Sequence, residues 1–115
     1  MVQPIEGEHR VVKHKYDAFF ETDLDAILRN LGVKTAVIIG TATNVCCEST
    51  ARSAFFRDYQ VAFISDCTAS FDDSMHEATL KTIDMFFGRV MSTDELLNEM
   101  QGDPVSSEEA VAVPA

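Results

Sequence analysis

The chain has 115 residues, of which 46% are hydrophobic and 24% are charged, an ordinary composition for a single globular domain with a buried core. Its formal net charge of −10 disfavours binding to nucleic acids and to anionic membrane surfaces, because phosphate groups repel an acidic protein. Three cysteines do not make a disulfide framework. The sequence has no apolar run of the kind that predicts a signal peptide or a membrane span. We therefore expect a reducing, cytoplasmic location.

The N-terminal third contains one clear helical pattern. Residues 1–10 are polar and predict an entry loop, and residues 11–13 predict a short strand. Thr22 is a good N-cap for the first helix, and Gly32 is a good C-terminal stop. Between them, apolar side chains recur at helical spacing and predict a core-facing stripe: Leu24, Ile27, Leu28 and Leu31.

Strands and helices alternate through the rest of the chain. Residues 35–39 form a continuous apolar run, typical of a strand covered on both faces, and a helix is predicted from about Cys46. A second buried strand is predicted over residues 60–65, a polar loop over residues 66–73 and a short strand over residues 89–91. Two Ser-x-x-Glu capping boxes predict the starts of the last two helices: Ser74 with Glu77, and Ser92 with Glu95.

This alternation predicts an α/β fold of the Rossmann-like kind, with a parallel sheet, right-handed crossovers and helices on both faces, making three layers. We expect the domain to occupy residues 1–102. Residues 103–115 are rich in Pro, Ser, Glu and Ala and predict a disordered tail.

The segment GTATNVCCEST, residues 40–50, places a cysteine where a strand is followed by a helix. The free N–H groups of a first helical turn favour a thiolate and can hold an oxyanion, so Cys46 is a candidate nucleophile. A buried structural cysteine is the alternative, and for Cys47 and Cys67 it is the preferred interpretation. The histidines lack metal-ligand spacing with the cysteines, and no metal site is predicted.

Three reactive groups follow predicted strands and should meet at one edge of a parallel sheet, where sites form. They are Lys13, the turn that carries Cys46, and Asp66.

Two motifs in order carry a family resemblance: KHKYDAFFETDLD over residues 13–25 and GTATNVCCESTAR over residues 40–52, with a weaker match in STDELL over residues 92–97. With this spacing the chain resembles the isochorismatase-like cysteine hydrolases, with most likeness to the ureidoacrylate amidohydrolases and related carbamoyl-amide amidases. The resemblance implies the isochorismatase-like fold and cleavage of a C–N bond in a small ureido or carbamoyl amide through a thioester. It implies no metal and no organic cofactor.

The resemblance also implies site residues. That family uses an Asp–Lys–Cys triad, so Cys46 corresponds to the nucleophile and Lys13 to the lysine, with Lys15 as the competing candidate. A non-prolyl cis peptide would join Thr41 to Ala42, and the N–H groups of Ala42 and Cys46 would form the oxyanion hole. Four residues would line the substrate pocket, with a purely structural role open for the aromatic ones: Tyr16, Phe19, Phe20 and Asn44.

The triad aspartate has no counterpart, because the family's first strand, of the form Leu-Leu-Val-Ile-Asp, is not matched. Asp17, Asp23 and Asp66 are the acids near the proposed edge, and none is assigned as the general base. The sheet is therefore expected to be incomplete on its N-terminal side. Three interpretations stay open: a fragment, a catalytically inactive module acting by oligomerisation or partner binding, and a split enzyme. Partners would be a small-molecule amide and either a second copy or a chain that supplies the missing strands.

Overall fold

The computed structural model describes residues 3–102 and 110–114. It contains four strands and four helices, in the order α1 (Leu24–Asn30), β1 (Thr35–Thr41), α2 (Glu48–Phe56), β2 (Gln60–Ala69), α3 (Asp73–Phe86), β3 (Arg89–Met91), α4 (Thr93–Gly102) and β4 (Ala110–Pro114). A short π-helical segment, Thr43–Cys47, lies between β1 and α2 and is called the π-turn below.

The strands form one parallel sheet in the order β3-β2-β1-β4, so the predicted α/β class and parallel topology are confirmed. Side chains alternate across the strands and supply two apolar layers. Ile38 and Phe63 face the layer that contains α1, α2 and α3. Val37 and Ile64 face the opposite layer, where Leu96 of α4 packs against them. The sheet thus has helices on both faces, as predicted.

Helix α1 ends at the predicted glycine. Gly32 has a φ of 72°, its N–H donates to the Arg29 carbonyl at 3.1 Å, and the Val33 N–H donates to the Leu28 carbonyl at 3.0 Å. This pair of bonds is the Schellman arrangement, which favours glycine at the left-handed position. At the other end of α1 the N-cap is Asp23 and not the predicted Thr22, although the Thr22 hydroxyl accepts a hydrogen bond from the Leu24 N–H at 3.3 Å.

Of the two predicted capping boxes, one is confirmed and one is wrong. Ser92 and Glu95 form the expected capping box, with bonds of 3.2 and 3.3 Å between their side chains and each other's N–H groups. Helix α3 instead begins after Asp72, whose carboxylate accepts the Met75 N–H at 2.8 Å. Ser74 donates to that same carboxylate, since Asp72 occupies the extended N-cap position two residues earlier.

Strand β2 is four residues longer than predicted. Ile38 pairs with Phe63 but Gly40 pairs with Thr68, so extra residues of β2 bulge out between these two positions. The Thr68 hydroxyl donates to the Ile64 carbonyl at 3.0 Å and closes the bulge. Asp66 therefore lies on this exposed bulge of a strand rather than in a loop.

Two further expectations differ from the structure. Residues 11–13 do not form a strand, because they pair with no strand in the part of the chain that the structure describes. Residues 110–114, expected in a disordered tail, form β4, since β1 offers them an unpaired edge. The remaining tail residues, 103–109 and 115, lie outside the described residues. Within residues 3–102 and 110–114, no helix has both the length and the apolar character needed to cross a membrane.

Tyr59 ties the loop after α2 to α1. Its hydroxyl donates to Asp25 Oδ1 at 2.6 Å, and burial together with this bond raises the pKa of Tyr59 to about 12. A raised phenol pKa stabilises the fold fully below pH about 10, the ordinary value, and this stabilisation is lost as pH rises toward 12. We expect Tyr59→Phe to lower the free energy of unfolding by about 1 kcal/mol at pH 7. In urea titrations the difference from wild type should shrink above pH 10; a constant difference up to pH 12 contradicts the assignment.

Candidate active site

The π-turn carries Cys46 directly after β1. The Thr41–Ala42 peptide before it is cis, at the position that the family resemblance implies. The Ala42 carbonyl accepts from the N–H groups of Val45 at 3.1 Å and of Cys47 at 3.2 Å, and the second of these is the wide π-type bond. Helix α2 consequently begins at Glu48 rather than near Cys46. Single π-turns of this kind are rare and occur frequently at functional sites.

The three cysteines have different environments. Cys46 is half-buried, Cys47 is fully buried and Cys67 is exposed. The core role predicted for Cys47 is confirmed, and burial raises the pKa of its thiol to about 12, with neighbouring Cys46 adding to the rise. The packing role predicted for Cys67 is wrong, because the β2 bulge carries its sulfur out to within 3.1 Å of the Thr93 hydroxyl.

Lys13 lies near the cysteine pair. Its ammonium charge acts to lower the pKa of the Cys47 thiol, against the larger effect of burial. Lys13 is half-buried, and its Nζ donates to the Lys15 carbonyl at 3.2 Å, whereas the Lys15 side chain is exposed. Lys13 thus acts electrostatically on Cys47 of the π-turn, although it does so from a loop and not from the expected strand end.

Helix α2 holds the Lys13 segment in place. The Ala18 N–H donates to the Thr50 hydroxyl at 3.0 Å, and that hydroxyl donates to the Tyr16 carbonyl at 3.5 Å. Thr50 is fully buried and lies one helical turn beyond Cys46. The loop that follows Lys13 is therefore fixed to α2, the helix that directly follows the π-turn.

The four predicted pocket residues do not share one environment. Phe19 is buried in the core and stacks on Tyr59 with ring centroids 5.8 Å apart. The purely structural role that the sequence leaves open for this residue is therefore the one observed. Tyr16 and Phe20 are exposed. Asn44 is half-buried within the π-turn, and its side-chain oxygen accepts from the Ser70 hydroxyl.

Two of the three candidate acids accept hydrogen bonds from other residues. The Asp17 carboxylate accepts from the Phe19 N–H at 2.8 Å. Asp66 accepts from the hydroxyl and N–H of Thr93 at 2.8 and 2.9 Å, and these bonds hold the pKa of its carboxyl below the usual range. Asp23 is exposed at the start of α1. Among the described residues, no group of three or more acids, histidines and cysteines has a metal-binding arrangement.

Sequence reasoning missed two side chains of α3 that contact the π-turn and the start of α2. His76 Nδ1 lies 2.8 Å from the Thr43 hydroxyl, and Thr79 donates to Glu48 at 2.8 Å. These residues are more than 30 positions apart in the chain, so no local pattern could have paired them.

Comparison with known proteins gives one consistent family. The Isochorismatase domain model matches residues 1–95. Nicotinamidase 3 of Arabidopsis thaliana is 38% identical over 108 residues, covering 90% of this chain and 54% of that protein. Ureidoacrylate amidohydrolase RutB of Acinetobacter baylyi is 40% identical over 101 residues, covering 87% of this chain and 41% of that protein.

Solved structures agree with these sequence matches. The crystal structure of an isochorismatase-like hydrolase from Alkaliphilus metalliredigens aligns with a TM-score of 0.83 at 39% identity, over 85% of this chain and 54% of that one. The chain therefore spans about half the length of the relatives that it matches.

Proposed function

Because the chain belongs to the isochorismatase family, we propose that it carries the nucleophile of a cysteine amidase that hydrolyses the C–N bond of a small amide. The observation that carries this proposal is the half-buried Cys46 in a π-turn directly after β1, with the Lys13 ammonium close enough to act electrostatically on the neighbouring Cys47. Three free thiols among the described residues fit the reducing cytoplasm that we propose as its location.

The proposed reaction begins with attack of the Cys46 sulfur on the amide carbonyl. The Lys13 ammonium favours the thiolate, which is the nucleophilic form. The N–H groups of Ala42 and Cys46 would hold the tetrahedral oxyanion, and collapse of this intermediate releases the amine and leaves a thioester on Cys46. Water then adds to the thioester carbonyl, the C–S bond breaks, and the acyl group leaves as a free acid while the thiol is restored.

A carboxylate has to carry the thiol proton to the leaving amine and later activate the water. Asp17 already accepts a hydrogen bond from the nearby Phe19 N–H, and Asp66 accepts two from Thr93 at the start of α4. We therefore propose that this carboxylate comes from a segment outside the described residues or from a partner chain. A second copy and a separate chain are both candidates for that partner.

The substrate class proposed is a ureido or carbamoyl amide, because the motifs around Lys13 and Cys46 most resemble amidases of that kind. Relatives named as a nicotinamidase and as ureidoacrylate amidohydrolases share similar identity with the chain. Ammonia release from ureidoacrylate, nicotinamide and further small amides distinguishes these classes. The chain alone should turn over slowly, since removal of one triad member costs several orders of magnitude.

A p-nitrophenyl ester tests the proposal on this chain without the missing carboxylate. Its leaving group departs as a stable anion and needs no proton, so acylation depends only on the nucleophile and the oxyanion donors. Mass spectrometry should find one acyl group, on Cys46, that hydroxylamine removes. Cys46→Ser should abolish it, and Cys67→Ser, which removes the exposed thiol, should leave it unchanged. Acylation of Cys67 in preference to Cys46 contradicts the proposal, and the non-catalytic alternative is then favoured.

A further inference from the structure

Three side-chain hydrogen bonds join the nucleophile region to the segment formed by the end of β2 and helix α3. His76 bonds to Thr43 at the start of the π-turn, Ser70 bonds to Asn44 within it, and Thr79 bonds to Glu48 just after it. The bonds at Thr43 and Asn44 contact the π-turn itself, whereas the bond at Glu48 contacts the first residue of α2.

Of the three contacts, the one at Thr43 lies nearest to the backbone groups that define the geometry of the turn. Thr43 is fully buried, and it directly follows Ala42, whose N–H and carbonyl belong to the proposed oxyanion hole and to the π-type bond. A π-turn is less regular than an α-helix, so tertiary contacts have to hold it in place. His76 is suited to this, because it lies one turn into α3, a 14-residue helix whose start is capped by Asp72.

We propose that His76 is a positioning residue for Cys46, acting through the Thr43 hydroxyl. The inference rests on the proposed function, since it assigns His76 the task of keeping the thiol aligned with the N–H groups of Ala42 and Cys46. His76 itself touches neither substrate nor sulfur in this assignment. The Thr43 hydroxyl donates to Nδ1 where this nitrogen carries no proton and accepts from it where it does, so the contact can form in either tautomer.

The test compares three variants of the full chain. His76→Leu removes the polar contact, and His76→Asn keeps a polar group near the position of Nδ1. Thr79→Val is the matched control, because it removes a hydrogen bond of similar length from the same helix but beyond the turn, at Glu48. Two readouts are taken for each: the rate of iodoacetamide alkylation at Cys46, and amide hydrogen exchange at Val45 and Cys47.

We expect His76→Leu to slow Cys46 alkylation by about tenfold and to speed exchange of the two amides. His76→Asn should restore both toward wild type, and Thr79→Val should change neither while lowering the urea midpoint. Equal behaviour of the leucine and control variants overturns the inference. If His76→Leu does not fold, Thr43→Val and Thr43→Ser form the equivalent pair, with serine expected to keep the wild-type values.

The two readouts separate this inference from the proposed function. If Cys46 of the wild-type chain shows no enhanced reactivity, the proposed function fails. The amide exchange of the turn still reports in that case whether His76 holds it. Unchanged exchange in His76→Leu overturns the positioning role even where Cys46 is reactive.

Discussion

Replacing Lys13 by glutamine is expected to slow alkylation of Cys46 by about 10- to 100-fold near neutral pH, because a nearby ammonium favours a thiolate by this order. Lys13 is half-buried and acts electrostatically on Cys47, so solvent screens its charge less than that of an exposed lysine. Alkylation rates at Cys46 are measured by mass spectrometry of iodoacetamide-treated protein at several pH values.

Lys15→Gln is the matched control for this prediction. Lys15 is two residues away, has the same charge and is exposed, and its backbone carbonyl accepts the hydrogen bond from Lys13. Its replacement should leave the Cys46 rate within about twofold of wild type, as expected for a screened surface charge. A larger effect from Lys15→Gln than from Lys13→Gln would assign the activating lysine to position 15.

Replacing Gly88 by alanine is expected to lower the free energy of unfolding by about 3 kcal/mol, because the new methyl group has no space. A Cβ at Gly88 would lie 2.5 Å from the Val61 carbonyl oxygen and 2.7 Å from the Val61 Cβ. Val61 lies in β2 at the centre of the fold, and its backbone cannot move aside without disturbing the sheet. Urea unfolding followed by circular dichroism measures the change.

Gly102→Ala provides the comparison, since a Cβ at Gly102 meets no atom within 4 Å. Gly102 is the last residue of α4, where alanine is the better helix former, so we expect no loss of stability. A loss of similar size in both variants would show that the effect comes from glycine replacement in general. That result would contradict the close approach of Gly88 to β2.

The parts of the fold that sequence predicts well are those determined by neighbouring residues. The Schellman end at Gly32 and the Ser92–Glu95 capping box depend on groups within a few positions of each other, and both are observed. The apolar run of β1 has to be covered on both faces, and its pattern alone shows this. The buried state of Cys47 follows from its place beside Cys46 on the turn.

The parts that differ depend on partners distant in the chain. The β2 bulge arises from the pairing of Gly40 with Thr68, and β4 forms against an edge of β1 that only the folded sheet presents. Both concern strand pairing, which has no short-range signature beyond composition.

The candidate site divides in the same way. Lys13 and Cys46 stand in local motifs and were named from the sequence. The π-turn around Cys46 was not foreseen, because its irregular bonding is stabilised by His76 and Ser70, which approach it from another part of the fold. Phe19 is the opposite case: it stands in a local motif that predicts a pocket residue, but in the structure it packs against Tyr59 in the core.

The most direct test of an activated nucleophile is the relative alkylation rate of the three cysteines in the unmodified chain at neutral pH. If solvent access alone set the alkylation rates, Cys67 would react fastest, Cys46 next and Cys47 slowest, because Cys67 is exposed, Cys46 is half-buried and Cys47 is fully buried. The proposed function predicts the opposite order for the first two, with Cys46 faster than Cys67 by about tenfold or more. If Cys67 reacts first and Cys46 follows at a rate set by its exposure, Cys46 is an ordinary thiol and the proposed nucleophile is wrong.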